Sequence, residues 1–433
     1  MKRHLLGIWA CALVQPVGAQ ATFHGDNART GVYATPGPVQ LAVVKWKFKT
    51  GGAVVSSPAV AEGLVYVGSA DGNLYAIDQE TGAQKWSFET GEPIVSSPAV
   101  ANGMVYFLGS DGALHAVAAA TGAPKWRFAT GGEHRFEARN LHGMTPAAET
   151  MPDPMDHFLS SPAISNGHVY FGSSDGKVYA VDAATGVLQW SFATGDVVHA
   201  SPAIANNTVY IGSWDSYFYA LDAETGQEKW RFKAGEDPAI HNQVGFQSSA
   251  AVVGGMVYVG CRDGHAYALD AATGHKVWDY STSQSWVNTT PAVRDGVVYV
   301  GTADTHRFLA IDARTGRLRF LVDLQALIFG SAAVTGNLAY IGAMNGRLSA
   351  IDLTSGKLAW EFRTEASTTD PLKVLTPTGG IDRSAMRPVF HNFMDMTVNL
   401  ARMYSVGAIL SSPTIEHGTL FVGSADGYVY ALR

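Results

Sequence analysis

The sequence predicts an all-β fold, a single eight-bladed β-propeller built from four-stranded antiparallel blades. Three observations predict it. A "SSPA"-type element occurs eight times, beginning at Ser56, Ser96, Ser160, Ala200, Ser248, Thr289, Gly330 and Ser411. Most copies lie about forty residues apart, the length of one propeller blade. Each copy is followed by apolar, Val-, Ile- and Tyr-rich stretches with period-two alternation, punctuated by Gly, Asp and Asn and free of helical inserts.

Within one copy, residues 56–86 read "SSPAVAEGLVYVGSADGNLYAIDQETGAQKW". The order is an inner strand, "VYVGS", an Asp-Gly turn, the "YAID" alternation, and then "TG" and a Trp. Asp78 can bond the backbone amides of the tight turn, and Gly82 can supply a positive φ. The Trp four residues later is large enough to pack across to the adjacent blade. Trp46, Trp86, Trp126, Trp190, Trp230, Trp278 and Trp360 hold this position, with Phe320 in one repeat, and all are read as core. The ends complete the ring. The chain stops at "YVYALR", after the third strand of its last blade, and "VKWKFKT" at 44–50 is a fourth strand lacking its own preceding three. Pairing them makes an eighth blade and leaves no open edge.

The domain boundaries follow. Residues 1–21 read as a signal peptide: Lys2, Arg3 and His4, the short apolar run "LLGIWACALV", then "VGAQA". The run is too short to span a bilayer. Residues 22–43 form an N-terminal extension whose loss is expected to leave the ring closed, and 44–433 form the propeller. A periplasmic or secreted, monomeric protein without a transmembrane segment is expected. The net charge is −7, and two units more negative without Lys2 and Arg3, which argues against nucleic-acid partners. Only Cys261 follows the leader, so the core, not an internal disulfide, must hold the fold.

Function is sought where the wording of the repeat changes. The intervals Ser96–Ser160, Ala200–Ser248 and Gly330–Ser411 are longer than the rest. Their extra segments, about 131–158, 235–246 and 364–409, all fall between a Trp-bearing outer strand and the next inner strand. That places them on one face, around the mouth of the central channel, as functional loops on a rigid scaffold. The first carries Arg135, Arg139, His142 and His157, the second His241 and Asn242, the third Arg383, Arg387 and His391. Phe390, Phe393, Met394, Thr397, Leu400, Ala401 and Tyr404 follow helical spacing and predict a short helix across the mouth. Two tryptophans off the repeat pattern, Trp214 and Trp286, fall on the same face, as do the turn departures Asp215, Arg262 with His265, and His306 with Arg307. Aromatic rings beside His and Arg suit a planar, anionic or sugar-like ligand. The arginines favour an anionic small molecule or an acidic peptide. His134, His142 and His157 lack metal-ligand spacing, and no metal site is assigned.

The pattern A-x-D-x-x-T-G-x-x-x-W is intact at 76–86, 180–190, 220–230 and 268–278. It resembles the tryptophan-docking repeat of the PQQ-like (pyrroloquinoline-quinone-type) propeller family, over nearly all of the mature chain. The same repeat is similar to that of the barrel-assembly outer-membrane lipoprotein and of quinoprotein dehydrogenases. The resemblance implies two functions. One is a non-catalytic binding protein working in envelope assembly. The other is an oxidoreductase using pyrroloquinoline quinone and calcium, which implies adjacent cysteines that this chain lacks. A third reading, a lyase or hydrolase acting on an anionic polymer at the same face, would use rim His, Arg and Tyr. The sequence assigns no cofactor and no catalytic residue.

Overall fold

The computed structural model describes residues 21–40, 43–235, 245–283, 285–388 and 391–433. Blade 1 consists of Ala59–Ala61, Leu64–Gly68, Asn73–Asp78 and Gln84–Glu89, paired in that order from the channel outward. Six further blades repeat this order, at 99–129, 163–193, 203–233, 251–281, 292–323 and 333–363. The eighth is completed from both ends of the chain. Val44–Lys49 pairs antiparallel with Tyr428–Leu432, setting Trp46 opposite Ala431 and Phe48 opposite Val429. The fold is therefore the expected eight-bladed propeller.

The repeat's wording has a direct structural meaning. The first hydroxyl of the "SSPA" element serves its own blade: Ser56 Oγ accepts Gly68 N–H at 3.1 Å, and Thr289 Oγ1 accepts Gly301 N–H at 2.9 Å. The second serves its neighbour. Ser57 N–H donates to Ser97 Oγ at 3.0 Å, Ser97 to Ser161 at 2.9 Å, and Ser161 to Ser201 at 2.9 Å. The run continues from Ser201 to Ser249, from Thr290 to Ser331 and from Ser331 to Ser412, and Ser412 N–H returns to Ser57 Oγ at 2.9 Å. Seven hydrogen-bonded links thus run from blade to blade around the channel.

The outer seams are sealed by the docking tryptophans. Trp86 Nε1 donates to Ala119 O at 2.9 Å, and the Tyr66 hydroxyl reaches the same carbonyl at 3.2 Å. Trp126 with Tyr106, and Trp190 with Tyr170, do the same to Ala183 and Ala223. Gly82, at φ +74°, brings its backbone against Trp46, where a Cβ would lie 2.8 Å from the indole, so only glycine fits this turn. Along the seams, hydrophobic clusters span two adjacent blades, for example Tyr66 and Leu74 with Val105 and Phe107. Every blade buries its faces against its neighbours, as a repeat architecture requires.

The extension does more than the sequence suggested. Residues 21–33 run across the channel end opposite the insertions. Val100, Ile204, Val252, Val293 and Val334 donate backbone N–H groups to Ala21, Asn27, Ala28, Thr30 and Gly31. Arg29, fully buried, donates to Phe23 O, Pro202 O at 3.0 Å, Ser161 O at 3.1 Å and the Thr22 hydroxyl at 3.2 Å. The His24 ring lies between Arg29 O and Ala332 O, at 2.9 and 3.0 Å. Further on, the Pro38 carbonyl accepts Trp360 Nε1 at 3.1 Å and the Tyr340 hydroxyl at 3.0 Å. It replaces the turn carbonyl that other seams take from the next blade.

Candidate functional site

The first insertion folds down onto the channel mouth. Glu137–Arg139 and Thr150–Pro152 pair as a small hairpin, with a single 3-10 turn at Leu141–Gly143. Glu133 latches its start to blade 3, accepting from Ser173 Oγ at 2.5 Å and from Ser174 N–H at 2.9 Å. The third insertion carries helices Glu365–Thr369 and Phe393–Ser405. Asn392 caps the longer helix by accepting Asp395 N–H at 2.8 Å. The two insertions touch: Thr145 N–H and Oγ1 both donate to His391 O, and the Tyr404 hydroxyl lies 3.3 Å from His157 Nδ1.

The helix crosses the mouth as expected, but a different face is buried. Met396, Asn399, Leu400 and Met403 point inward, whereas Met394 is 68 % exposed and Thr397 is exposed. The reason is the neighbouring insertion and rim, whose Met155, Phe136, Trp214, Trp286 and Phe329 form one cluster with Met396, Leu400 and Met403. Phe390 lies outside the described residues.

Beneath this lid are two buried carboxylates of "PDPMDH", each at the centre of a polar group. Asp153 accepts His142 Nε2 at 2.9 Å, Met155 N–H at 2.8 Å and Arg262 Nη1 at 2.6 Å. Burial alone would raise its pKa, but the facing Arg262 guanidinium and the hydrogen bonds from Arg262 and His142 hold it well below the usual carboxylate range. Asp156 accepts Phe136 N–H at 2.8 Å and Gln247 Nε2 at 3.2 Å, and pairs with His199 Nδ1 at 2.8 Å. Burial opposes charging His199, yet Asp156 raises its pKa above the ordinary value. His199 Nε2 then meets Ser174 Oγ at 2.7 Å. Asp156, His199 and Ser174 stand in the order of a hydrolase relay, but Ser174 is buried and its hydroxyl is engaged by Glu133 and His134 O. The arrangement acts as a latch between the insertion and blades 3 and 4.

Arg262 is the centre of a stack. Its guanidinium lies 4.5 Å from the Trp214 ring and 3.9 Å from the Trp286 ring, a cation–π clamp on both faces. Phe136 stacks on Trp214 at 4.3 Å, and His142 leans on Trp286 at 5.1 Å. Among the described residues, Arg262 Nε and Nη2, Trp214 Nε1, His157 Nε2, Gln247 Oε1 and both amide atoms of Asn288 are buried without a hydrogen-bond partner. All of them belong to this end of the channel.

Above the stack, a pocket of about 350 Å³ opens where both insertions meet blade 6. Its walls are Met155, Trp286, Leu327, Ile381, Met386, Met396 and Met403, and Asp304, His306, Asn399 and Arg383 supply its polar groups. Burial lowers the His306 pKa, with Asp323 and Asp304 raising it and Arg383 lowering it.

The sequence-predicted residues divide accordingly. Trp214, Trp286, His142 and His157 come together under the lid, and His306 and Arg383 line the pocket. Arg135, Arg139, Arg307 and Arg387 are exposed and make no ion pair among the described residues. His391 contributes its carbonyl to the contact between insertions. Asp215 does what Asp71 and Asp175 do in their repeats: it accepts the amide of Gly195 at 2.7 Å and the hydroxyl of Tyr219 at 2.6 Å. His241 and Asn242 lie outside the described residues. Sequence reasoning passed over Asp153, Asp156 and Asp304. Asp153 between two prolines, with Asp156 three residues on, in an insertion rich in Met and His, was the available signal.

A family model described as outer membrane protein assembly factor BamB matches residues 43–153, 142–288 and 241–433. No curated protein matches the sequence. Among solved structures, BamB from Moraxella catarrhalis is 17% identical, with TM-score 0.64, covering 91% of this chain and 97% of its own. Quinohemoprotein alcohol dehydrogenase from Comamonas testosteroni is 16% identical, with TM-score 0.67, covering 95% and 80%. A europium-containing methanol dehydrogenase is 15% identical, with TM-score 0.66, covering 94% and 97%. At these identities the likeness concerns the fold.

Proposed function

Because this chain belongs to the family of the outer membrane protein assembly factor BamB, we propose that it is an exported, periplasmic binding protein. Its ligand or partner is held at the insertion-bearing mouth, in the service of the cell envelope. The observation that carries the reading is the pocket of about 350 Å³ between the two insertions and blade 6. Apolar walls with a few convergent polar groups are the usual makeup of a ligand site. The buried, unpartnered donors and acceptors beneath it support the same end of the channel. Among the described residues, no helix is long and apolar enough to cross a membrane.

The alternative reading as a quinoprotein finds less support. The facing indoles of Trp214 and Trp286 are the natural seat for a planar ring, and the guanidinium of Arg262 fills the space between them. Cys261 is buried, has no neighbouring cysteine, and its thiol pKa is pushed up by burial. Among the described residues no three His, Cys, Asp or Glu side chains converge as a metal site. These residues do not fit pyrroloquinoline quinone with calcium, and no redox step is derived.

The test is a thermal-shift screen of the whole protein against small acids, amino acids and acidic peptides, repeated on a variant in which a repeat-length link replaces 132–157. Hits that stabilise the parent and not the shortened protein are expected. Replacing Arg135 and Arg139 by Ala, which leaves the lid in place, should weaken acidic ligands most at low salt. Hits indifferent to both changes would place recognition elsewhere on the ring.

A further inference from the structure

The pocket at the mouth has an uneven character that narrows its ligand, given its reading as a binding site. Its interior is apolar and polarisable, with the thioethers of Met155, Met396 and Met403 beside the Trp286 indole. Methionine side chains adapt to large apolar groups and contact aromatic rings favourably. Its rim is not apolar. It holds one carboxylate, Asp304, and one guanidinium, Arg383, both exposed and neither in a salt bridge among the described residues. Both line the same pocket as the His306 ring, one on each of the elements that meet there. The remaining polar group, Asn399, is already engaged. Its Oδ1 accepts Arg387 N–H at 2.8 Å and its Nδ2 donates to Arg387 O at 3.2 Å.

A simple anion would be drawn by Arg383 and repelled by Asp304, and a simple cation would meet the reverse. A head group carrying both signs satisfies both. We infer that this pocket takes a free α-amino acid with a large apolar side chain, its carboxylate toward Arg383, its ammonium toward Asp304 and its side chain among the methionines and Trp286. The imidazole of His306, which has no hydrogen-bond partner among the described residues, is placed to complete the head-group contacts.

Three compounds sharing one apolar body test this: L-phenylalanine, 3-phenylpropionate, which lacks the ammonium, and 2-phenylethylamine, which lacks the carboxylate. Isothermal titration of the full protein should show phenylalanine binding at least about tenfold tighter than either relative, with a change in tryptophan fluorescence from Trp286. Asp304→Asn should bring phenylalanine down to the affinity of phenylpropionate, and Arg383→Gln to that of phenylethylamine. Arg383 is exposed, and Asn at 304 keeps an oxygen acceptor for the Trp286 amide that bonds Asp304, so both variants should keep the parent melting temperature. The assignment is overturned if the acid or the amine alone binds as tightly as the amino acid, if neither substitution narrows the difference, or if none of the three binds. In that last case, a loop-dependent ligand from the wider screen would leave the mouth as a binding site and remove only the amino acid from it.

Discussion

Each end of the channel is closed by a fully buried arginine, and the two are treated in opposite ways. At the far end, Arg29 is surrounded by carbonyl oxygens of Phe23, Ser161 and Pro202, with the Thr22 hydroxyl beside them. Among the described residues no carboxylate forms an ion pair with it, and burial pushes its pKa down to about 9, with the field of Asp26 opposing. At the insertion-bearing end, Arg262 has one bond, to Asp153, and two aromatic faces, while its Nε and Nη2 find no partner among the described residues. A buried polar group left unpartnered is costly, so a fold retains it chiefly where it serves a purpose. The far end is built to be closed. The mouth is built around groups still able to bond.

The largest effect should come from breaking the closed end. Arg29→Met leaves several buried carbonyls without donors and should cost about 4–6 kcal/mol in denaturant unfolding. Arg262→Met should cost less, about 3 kcal/mol, chiefly by leaving the buried Asp153 without its guanidinium partner. Adding Asp153→Asn should then recover part of that loss. Equal costs for the two arginine variants, or additive losses in the Arg262–Asp153 double variant, would remove the distinction between the ends.

Acid should act next, and at both ends, since burial also lowers the pKa of His24 at the closed end to about 4. Burial lowers the pKa of His157 to about 3, with Arg135 and Arg262 adding to the effect and Asp153 and Asp156 opposing it. A histidine held neutral in the fold charges on unfolding. Its stabilisation is present above its unfolded pKa near 6.5 and is lost as pH falls from there toward 3. Between pH 7 and 4.5 the loss should be about 2–3 kcal/mol. His199, whose pKa is raised, stabilises in the opposite window, below its unfolded pKa, and that contribution fades as pH rises past its folded value. Replacing His157 by Asn should flatten the acid limb of the stability–pH curve, and an unchanged limb would assign acid sensitivity to another group.

The smallest effect concerns the outer seam between blades 6 and 7. There Phe320 stands where the other seven seams place an indole donor, and Tyr299 makes no bond across it among the described residues. Phe320→Trp should let an Nε1–H reach the Leu353 carbonyl, the counterpart of Ala313 at the preceding seam. A gain of about 1 kcal/mol is expected, and a loss would mean that the Phe320 site has no room for the larger ring.

Blade number, the strand that closes the ring, the docking tryptophans and the face carrying the insertions were all legible in the residues. A propeller blade contacts only its neighbours, so the same short wording must recur at every seam, and the pattern of Ser57, Ser97 and Ser161 is that recurrence made visible. The candidate site was legible in part. Trp214 and Trp286 stood out because they break the pattern, and His142 and His157 because they lie in an insertion. What lies between those rings is decided by tertiary structure. Arg262 reaches Asp153 across 109 residues, Thr145 meets His391 across 246, and His24 meets Ala332 across 308. Each of these contacts occurs once, is not periodic, and depends on how a loop descends onto a finished ring. For the same reason Asp215 is a turn aspartate and the inward face of the mouth helix is Met396–Asn399–Leu400–Met403. Local periodicity specifies which residues share a helix face, but only packing against Met155 and Phe136 selects the face that is buried.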